Sequence, residues 1–291
     1  MTASHPETPA VSAPPRGNDR AGGRAGRNLV AAIGVGVGLG AVVLASLLIE
    51  RHFFIAVVAL AVAVGTWELA GALRRGAEIR VPLPVLLVGG QAMVWLAWPF
   101  GAMAVAIAFA ATALASLLWR MPAGAENYVR DVTAGVFAAA YVPLFASFAT
   151  LMIVESDGAA RVLTFMICVV ASDVGGYTAG VLAGKHPMAP TISPKKSWEG
   201  FAGSLVTGMV AGALSVLFLL HGPWWAGVLT GALLVVSATL GDLIESLMKR
   251  DLGIKDMGTL LPGHGGLLDR LDSLLPTALV AWAALGLLVP G

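Results

Sequence analysis

The chain is 291 residues long, 57% of them hydrophobic and 12% charged, with a mean hydropathy of +0.84. Soluble domains carry roughly a quarter charged residues, so this composition excludes an ordinary soluble enzyme or binding module and points to many membrane spans. A formal net charge of +1 gives no reason to expect a nucleic-acid partner, and the single cysteine, Cys168 in an apolar run, excludes an intrachain disulfide and reads as a small core residue.

Residues 1–27 are rich in Pro, Gly, Ser and Arg and nearly lack large apolar side chains. They predict a disordered cytoplasmic tail, because such a composition cannot bury a core. Arg16, Arg20, Arg24 and Arg27 precede the apolar run 29–49, which is long enough to cross a bilayer and exceeds the apolar region of a signal peptide, so it predicts a retained anchor. Further spans are predicted over 53–73, 83–99, 101–119, 132–154, 162–183, 200–220, 223–244 and 271–289. The division between 83–99 and 101–119 rests on Pro99 and Gly101 alone.

The expected fold is therefore all-α: a polytopic membrane helix bundle of about nine transmembrane helices, with 28–291 as the transmembrane domain and the N-terminus in the cytoplasm. With alternating spans, sixteen of the 18 Lys and Arg residues fall on the cytoplasmic side and only Arg51 and Arg161 on the other, as the positive-inside rule requires. The loops 184–199 and 249–270 then share the cytoplasmic face.

Acids at membrane depth are costly and mark function or a paired structural role. Glu68 reads as structural or interfacial. Asp173 and Asp242 interrupt apolar segments near the cytoplasmic ends of their helices, and for Asp173 a structural ion pair and a functional role stay equally open. The segment from Gly241 to Ser273 concentrates chemistry. Asp242 and Glu245 share a helix face at i, i+3, with Ser246 beside them. Lys249 and Arg250 follow, then Lys255 and Asp256. Pro262-Gly263-His264-Gly265-Gly266 forms a turn of little bulk through which backbone amides can approach an anion. A helix predicted to start near Leu267 would point its positive end the same way, with Asp269 and Asp272 on one face. Paired carboxylates suit a hard divalent cation. Absent cysteine ligands and a single nearby histidine argue against zinc.

The second piece runs Gly184-Lys185 to Gly200. Ser193, Lys195, Lys196 and Ser197 offer hydroxyls and cations suited to a triphosphate or an anionic headgroup. His186 reads as a solvated loop residue. Tyr177 suits stacking on a base or an interfacial position equally.

These residues resemble the phosphatidate cytidylyltransferase (CDP-diacylglycerol synthase) family. Its C-terminal signature appears as Ser246-Leu247-Met248-Lys249-Arg250, Lys255-Asp256, Pro262-Gly263-His264-Gly265-Gly266 and Asp269-Arg270-Leu271-Asp272, with every fixed position matched. An earlier family pattern corresponds to Asp173, Tyr177 and Ser193 to Gly200. Ser197 stands where the family usually has threonine, which keeps the hydroxyl, and Val181 where an arginine is common, which removes one phosphate contact.

The resemblance implies transfer of CMP from CTP to phosphatidic acid, giving CDP-diacylglycerol and pyrophosphate in phospholipid biosynthesis. The site would lie mainly in 173–272, facing the cytoplasm from the cell's inner membrane. CTP, phosphatidic acid and the bilayer are the expected partners, with a homodimer left open. Asp242, Asp269 and Asp272 are expected to hold Mg²⁺, with a second cation such as K⁺ allowed beside it. Lys249, Lys255, Arg250, Arg270 and the amides near His264, Gly265 and Gly266 are expected to hold phosphates, and Ser193, Lys195, Lys196 and Ser197 to close the site. His264 either contacts a phosphate or braces its turn. A transporter would also carry intramembrane acids, but no repeat or paired broken helix is visible.

Overall fold

The structure, a computed structural model, describes residues 36, 38, 40–260 and 265–289. The tail expected over 1–27, the first part of the 29–49 span and His264 lie outside the described residues. Apolar runs without strand alternation form helices throughout. A short α1 (Gly40–Ile49) is followed by α2 (Arg51–Ala77) and α3 (Leu83–Arg120). Next come α4 (Tyr128–Ala139), a π-turn (Ala140–Leu144) and α5 (Phe145–Val154), which run on as one rod. The chain ends with α6 (Gly158–Ala183), α7 (Trp198–Leu219), α8 (Trp224–Asp251), the single turn α9 (Leu268–Leu271) and α10 (Leu274–Leu288). Among the described residues, seven helical segments are long and apolar enough to cross a membrane.

One of those seven is two. Helix α3 has 38 residues and would measure about 57 Å if straight, nearly twice the hydrocarbon core of a bilayer. Gly101 breaks it at φ 64° and ψ −159°, two residues after Pro99, a backbone conformation open to glycine. The arms then fold back on one another. Gly89 lies so close to Thr112 that a Cβ there would sit 2.0 Å from its Oγ1, and Met93 and Ala97 pack with Val105 and Ala108. The arms are antiparallel and each close to bilayer thickness, so the spans expected over 83–99 and 101–119 both exist. The described residues thus hold eight potential crossings, and α1 is the described part of the remaining expected one.

Alternation sorts the polar groups to two ends. At one end Arg51 donates to the Val154 and Ser156 carbonyls at 3.2 and 3.1 Å, and Arg161 to the Val289 carbonyl at 2.8 Å. At the other end lie Arg74, Arg75, Arg80, Arg120, Lys196 and Lys249. Arg74 and Arg75 occupy the last turn of α2, and Lys249 and Arg250 that of α8, where cations offset the helix dipole.

Helices α6, α7 and α8 pack backbone to backbone. A Cβ on Gly212 of α7 would fall 2.2 Å from the Gly227 carbonyl of α8, and Ser204 Oγ of α7 donates to the Ser172 carbonyl of α6 at 2.7 Å. In a bilayer, where lipid is as apolar as leucine, such close approach of small residues is what holds helices together. The loop between α6 and α7 departs from an all-helical expectation. It forms a small antiparallel hairpin of β1 (Pro187–Ala189) and β2 (Ser193–Ser197). Glu199, in the first turn of α7, folds that hairpin back by accepting from the Lys185 and His186 amides and from His186 Nδ1 at 3.1, 3.2 and 2.5 Å.

Candidate active site

The hairpin from the first motif segment reaches helix α8 of the second. Lys196, on β2, extends Nζ to within 2.6 Å of Asp242 Oδ2 on α8, and both side chains are about a quarter to a third exposed (26% and 30%). A chain separation of 46 residues is closed because the α6–α7–α8 packing sets the hairpin over the end of α8. Beneath it lies a cavity of about 230 Å³ lined by Asp173, Tyr177, Lys195, Lys196, Ser197 and Asp242, with Gly176, Gly180 and Gly200 in its walls. Ser197 also caps α7, its Oγ accepting from the Gly200 amide at 3.1 Å. Ser193 pairs with Ala189 at the other end of β2 and does not reach this cavity.

The end of α8 and the loop after it form a second, more buried layer. Lys249 Nζ sits between Glu245 Oε1 at 3.2 Å and Asp269 Oδ1 at 3.0 Å. Asp269 also accepts from the Met257 amide at 2.9 Å and the Gly266 amide at 2.8 Å. Its carboxylate thus ties the Met257 and Gly266 amides together beside Lys249. The Gly266 amide likewise faces Asp269 rather than an open phosphate position. The cause is physical: amides that open a helix are unsatisfied, and a carboxylate three residues on is their nearest acceptor. Gly265, at φ 78°, makes the turn that permits it.

Glu68 of α2 does the same from far away. It is 2% exposed and accepts from the Leu267 and Leu268 amides at 3.1 and 2.8 Å. Gly258 and Gly266 leave room for it: a Cβ on either would come within 2.2 or 2.5 Å of its carboxylate oxygens. The structural reading of Glu68 was legible in the sequence, but its partners 199 and 200 residues away were not. Arg75 reinforces the contact, donating to the Met257 carbonyl at 2.9 Å.

Behind these pairs, carboxylates outnumber cations. Glu245 is fully buried, faces Asp272 and keeps Oε2 without a partner among the described residues. Asp272 accepts from the Ser273 amide at 2.7 Å and lies within electrostatic reach of Asp242, and both act on Asp173. Tyr141, on the π-turn, buries an unpartnered hydroxyl among the same acids. Pro143 within an apolar run was its one sequence signal, since π-turns gather at prolines and functional sites. Among the described residues no three acidic, histidine or cysteine side chains close into a metal-ligand set. Lys255 and Arg250 are exposed and make no ion pair in the described residues, and Arg270 is exposed on α9.

Acids and lysines thus gather at one end of a bundle of long apolar helices. A family model described as "Cytidylyltransferase family" matches residues 30–288. The phosphatidate cytidylyltransferase of Mycobacterium leprae is 51% identical over 281 residues, covering 91% of this chain and 90% of that protein. The Mycobacterium bovis protein of the same name is 50% identical over 278 residues, covering 91% and 90%. A phosphatidate cytidylyltransferase of Helicobacter pylori is 43% identical over 132 residues, 45% of this chain and 49% of its own. With a match running from before α1 to the last turn of α10, the chain belongs to the cytidylyltransferase family.

Proposed function

We propose that the acids and lysines gathered where α6, α7, α8 and α9 meet carry out phosphatidate cytidylyl transfer, the activity named for relatives half identical along nine tenths of the chain. The protein is a nucleotidyltransferase of phospholipid biosynthesis. A phosphatidate oxygen forms a bond to the α-phosphorus of CTP, the α–β bridging bond breaks, and pyrophosphate leaves with CDP-diacylglycerol as the lipid product. The observation that supports this site is the 2.6 Å contact between Lys196 and Asp242, which joins the Lys-Lys hairpin to helix α8 over one cavity.

The nucleophile is already an anion, so no strong base is needed and alignment of two polyanions is the main barrier. Lys195 and Lys196, above the cavity, hold the triphosphate. Its 230 Å³ is below the roughly 300–1,000 Å³ that encloses a drug-sized ligand, so it takes part of the nucleotide, with the rest reaching toward Asp272. Lys249 is held by Glu245 and Asp269 and steadies the loop rather than meeting substrate directly.

The donor set fits a hard cation. Asp242 and Asp272 supply only oxygens, and among the described residues Glu245 Oε2 has no donor. Mg²⁺ characteristically uses one or two carboxylates and completes its shell with water and substrate phosphates. We therefore assign Asp242 and Asp272 as the residues that would hold Mg²⁺, and Asp269 as the organiser of the loop. When bound, the ion neutralises charge on the triphosphate and the leaving pyrophosphate. The Lys- and Arg-rich end carries the site, so the site faces the cytoplasm under the positive-inside rule, and phosphatidate enters sideways from that leaflet.

The deciding experiment incubates purified protein with labelled CTP, phosphatidate and Mg²⁺ and analyses the lipid product. Labelled CDP-diacylglycerol is expected from the wild type and not from Asp272→Ala. An Asp272→Ala protein with most of the wild-type turnover would refute the site.

A further inference from the structure

The largest cavity described here belongs to none of this chemistry. It measures about 770 Å³, lies at the same end of the bundle as the active site, and is walled by the ends of α2, α3 and α4. Arg74, Arg80, Arg120 and Arg130 line it. Its one buried carboxylate, Asp131 at 2% exposed, is divided between Arg120 at 3.0 Å and Arg130 at 3.4 Å. One carboxylate cannot neutralise two guanidinium groups. Arg120 Nη1 is buried without a partner, and the side chains of Arg74 and Arg80 make no ion pair among the described residues. The other two acids in the lining, Glu78 and Glu126, stand exposed at the rim. One buried guanidinium N–H left open among the described residues, beside two exposed arginines and a carboxylate already shared by two others, favours an anion of phosphate geometry, which arginine meets with paired hydrogen bonds.

A second feature says what carries that phosphate. Between the two arms of α3 runs a furrow of about 630 Å³, walled by small and aliphatic side chains. Trp119 borders both spaces, so the furrow and the arginine cavity adjoin at that side chain. The cavity sits at headgroup level and the furrow at hydrocarbon depth, with a tryptophan at the boundary where tryptophans anchor. A free phosphate would use only the first of these.

We propose that this pair of spaces is a second lipid site, which holds one anionic glycerophospholipid with its phosphate among Arg74, Arg80 and Arg120 and an acyl chain in the α3 furrow. It is distinct from the cluster of Asp242 and Asp272 in residues, elements and charge sign.

The test uses full-length delipidated protein without CTP, phosphatidate or Mg²⁺, so it does not depend on the transferase reading. Phosphatidylglycerol is the probe, because its phosphodiester is anionic but offers no terminal phosphate to a cytidylyl donor. Native mass spectrometry should find one phosphatidylglycerol bound saturably, at least about tenfold more tightly than phosphatidylcholine. The Arg74→Gln/Arg80→Gln double variant should weaken phosphatidylglycerol about tenfold and leave phosphatidylcholine unchanged. Ala111→Phe, which fills the exposed furrow, should weaken it while leaving all four arginines in place. Thermal midpoints check that each variant is folded. Equal binding of the two lipids, or undiminished binding by the double variant, overturns the site. Undiminished binding by Ala111→Phe overturns the assignment of a lipid rather than a bare phosphate.

Discussion

Removing the Glu68 carboxylate should disable the enzyme although Glu68 touches no substrate. The structure allows the cost to be worked out. Glu68 accepts from two helix-opening amides at 3.1 and 2.8 Å in a place that is 2% exposed. Hydrogen bonds to a charged group contribute about 1.5–3 kcal/mol each, so Glu68→Ala forfeits about 3–6 kcal/mol of local order in the loop that carries Asp269 and Asp272. Glu68→Gln keeps the volume and one acceptor but turns an NH₂ toward the other amide. It loses about 1.5–3 kcal/mol, which corresponds to roughly 10–150-fold in the population of the closed loop. The readouts are kcat for CDP-diacylglycerol formation, hydrogen exchange at 257–268 and the thermal midpoint. Exchange should quicken and kcat should fall in the order wild type, Gln, Ala. Gly266→Ala offers a check with Glu68 intact, because its Cβ would lie 2.5 Å from Glu68 Oε2 and must push the carboxylate out of place. Unchanged kcat and exchange in Glu68→Ala would refute the argument.

The same reasoning separates the two signature aspartates. Asp269→Ala should lower both activity and thermal midpoint, because it strands the Met257 and Gly266 amides and leaves Lys249 half-paired. Asp272→Ala should abolish activity with a smaller loss of midpoint than Asp269→Ala, since the one backbone amide it accepts from is that of the adjacent Ser273; both are read by paired turnover and melting measurements. Lys196→Met should raise KM for CTP by about 10–100-fold, measured by initial rates, because Asp242 loses its counter-ion and the triphosphate a cation. In the bundle, Gly212→Leu should destabilise detergent-solubilised protein sharply, since a Cβ there meets the Gly227 carbonyl at 2.2 Å. Gly286→Leu, with nothing within 4 Å of its Cβ, should leave the melting curve where it was.

Hydropathy made the bundle legible, because a bilayer demands long apolar helices and little else. Even the weakest boundary, at Gly101, was written in a Pro-x-Gly break, although the continuous helix bounds conceal it. Charge distribution foretold which loops share an end. Contacts set by three-dimensional packing were harder to read. The sequence offers Glu68 a bland position six residues before Arg74 and holds no local trace of Leu267. Asp269 was legible as an acid in a signature but not as one that ties the Met257 and Gly266 amides together, since a spacing of three from Gly266 is silent about direction. Asp131 and Tyr141 drew no notice, one lying among positive-inside charges and the other in an apolar run. The hairpin of β1 and β2 was missed because Ser-Pro-Lys-Lys-Ser has neither alternation nor β-branched residues to announce a strand.

The charge count at the site has a consequence of its own. Asp173, Asp242, Glu245, Asp269 and Asp272 are set against Lys195, Lys196 and Lys249 within one cluster, yet the ligand to be received is a triphosphate. A like-charge pair about 4 Å apart costs about 4 kcal/mol at an effective dielectric of about 20, close to a factor of 1,000 in affinity. A site built this way should reject bare CTP rather than bind it unproductively. Removing divalent cations should therefore abolish CTP binding itself in a calorimetric titration, and not turnover alone. Replacing Asp242 with Asn should restore some metal-free binding while lowering kcat, because it removes repulsion together with a proposed metal ligand. Equal CTP affinity with and without Mg²⁺ would mean that the lysines suffice alone, and the carboxylates would then need another purpose.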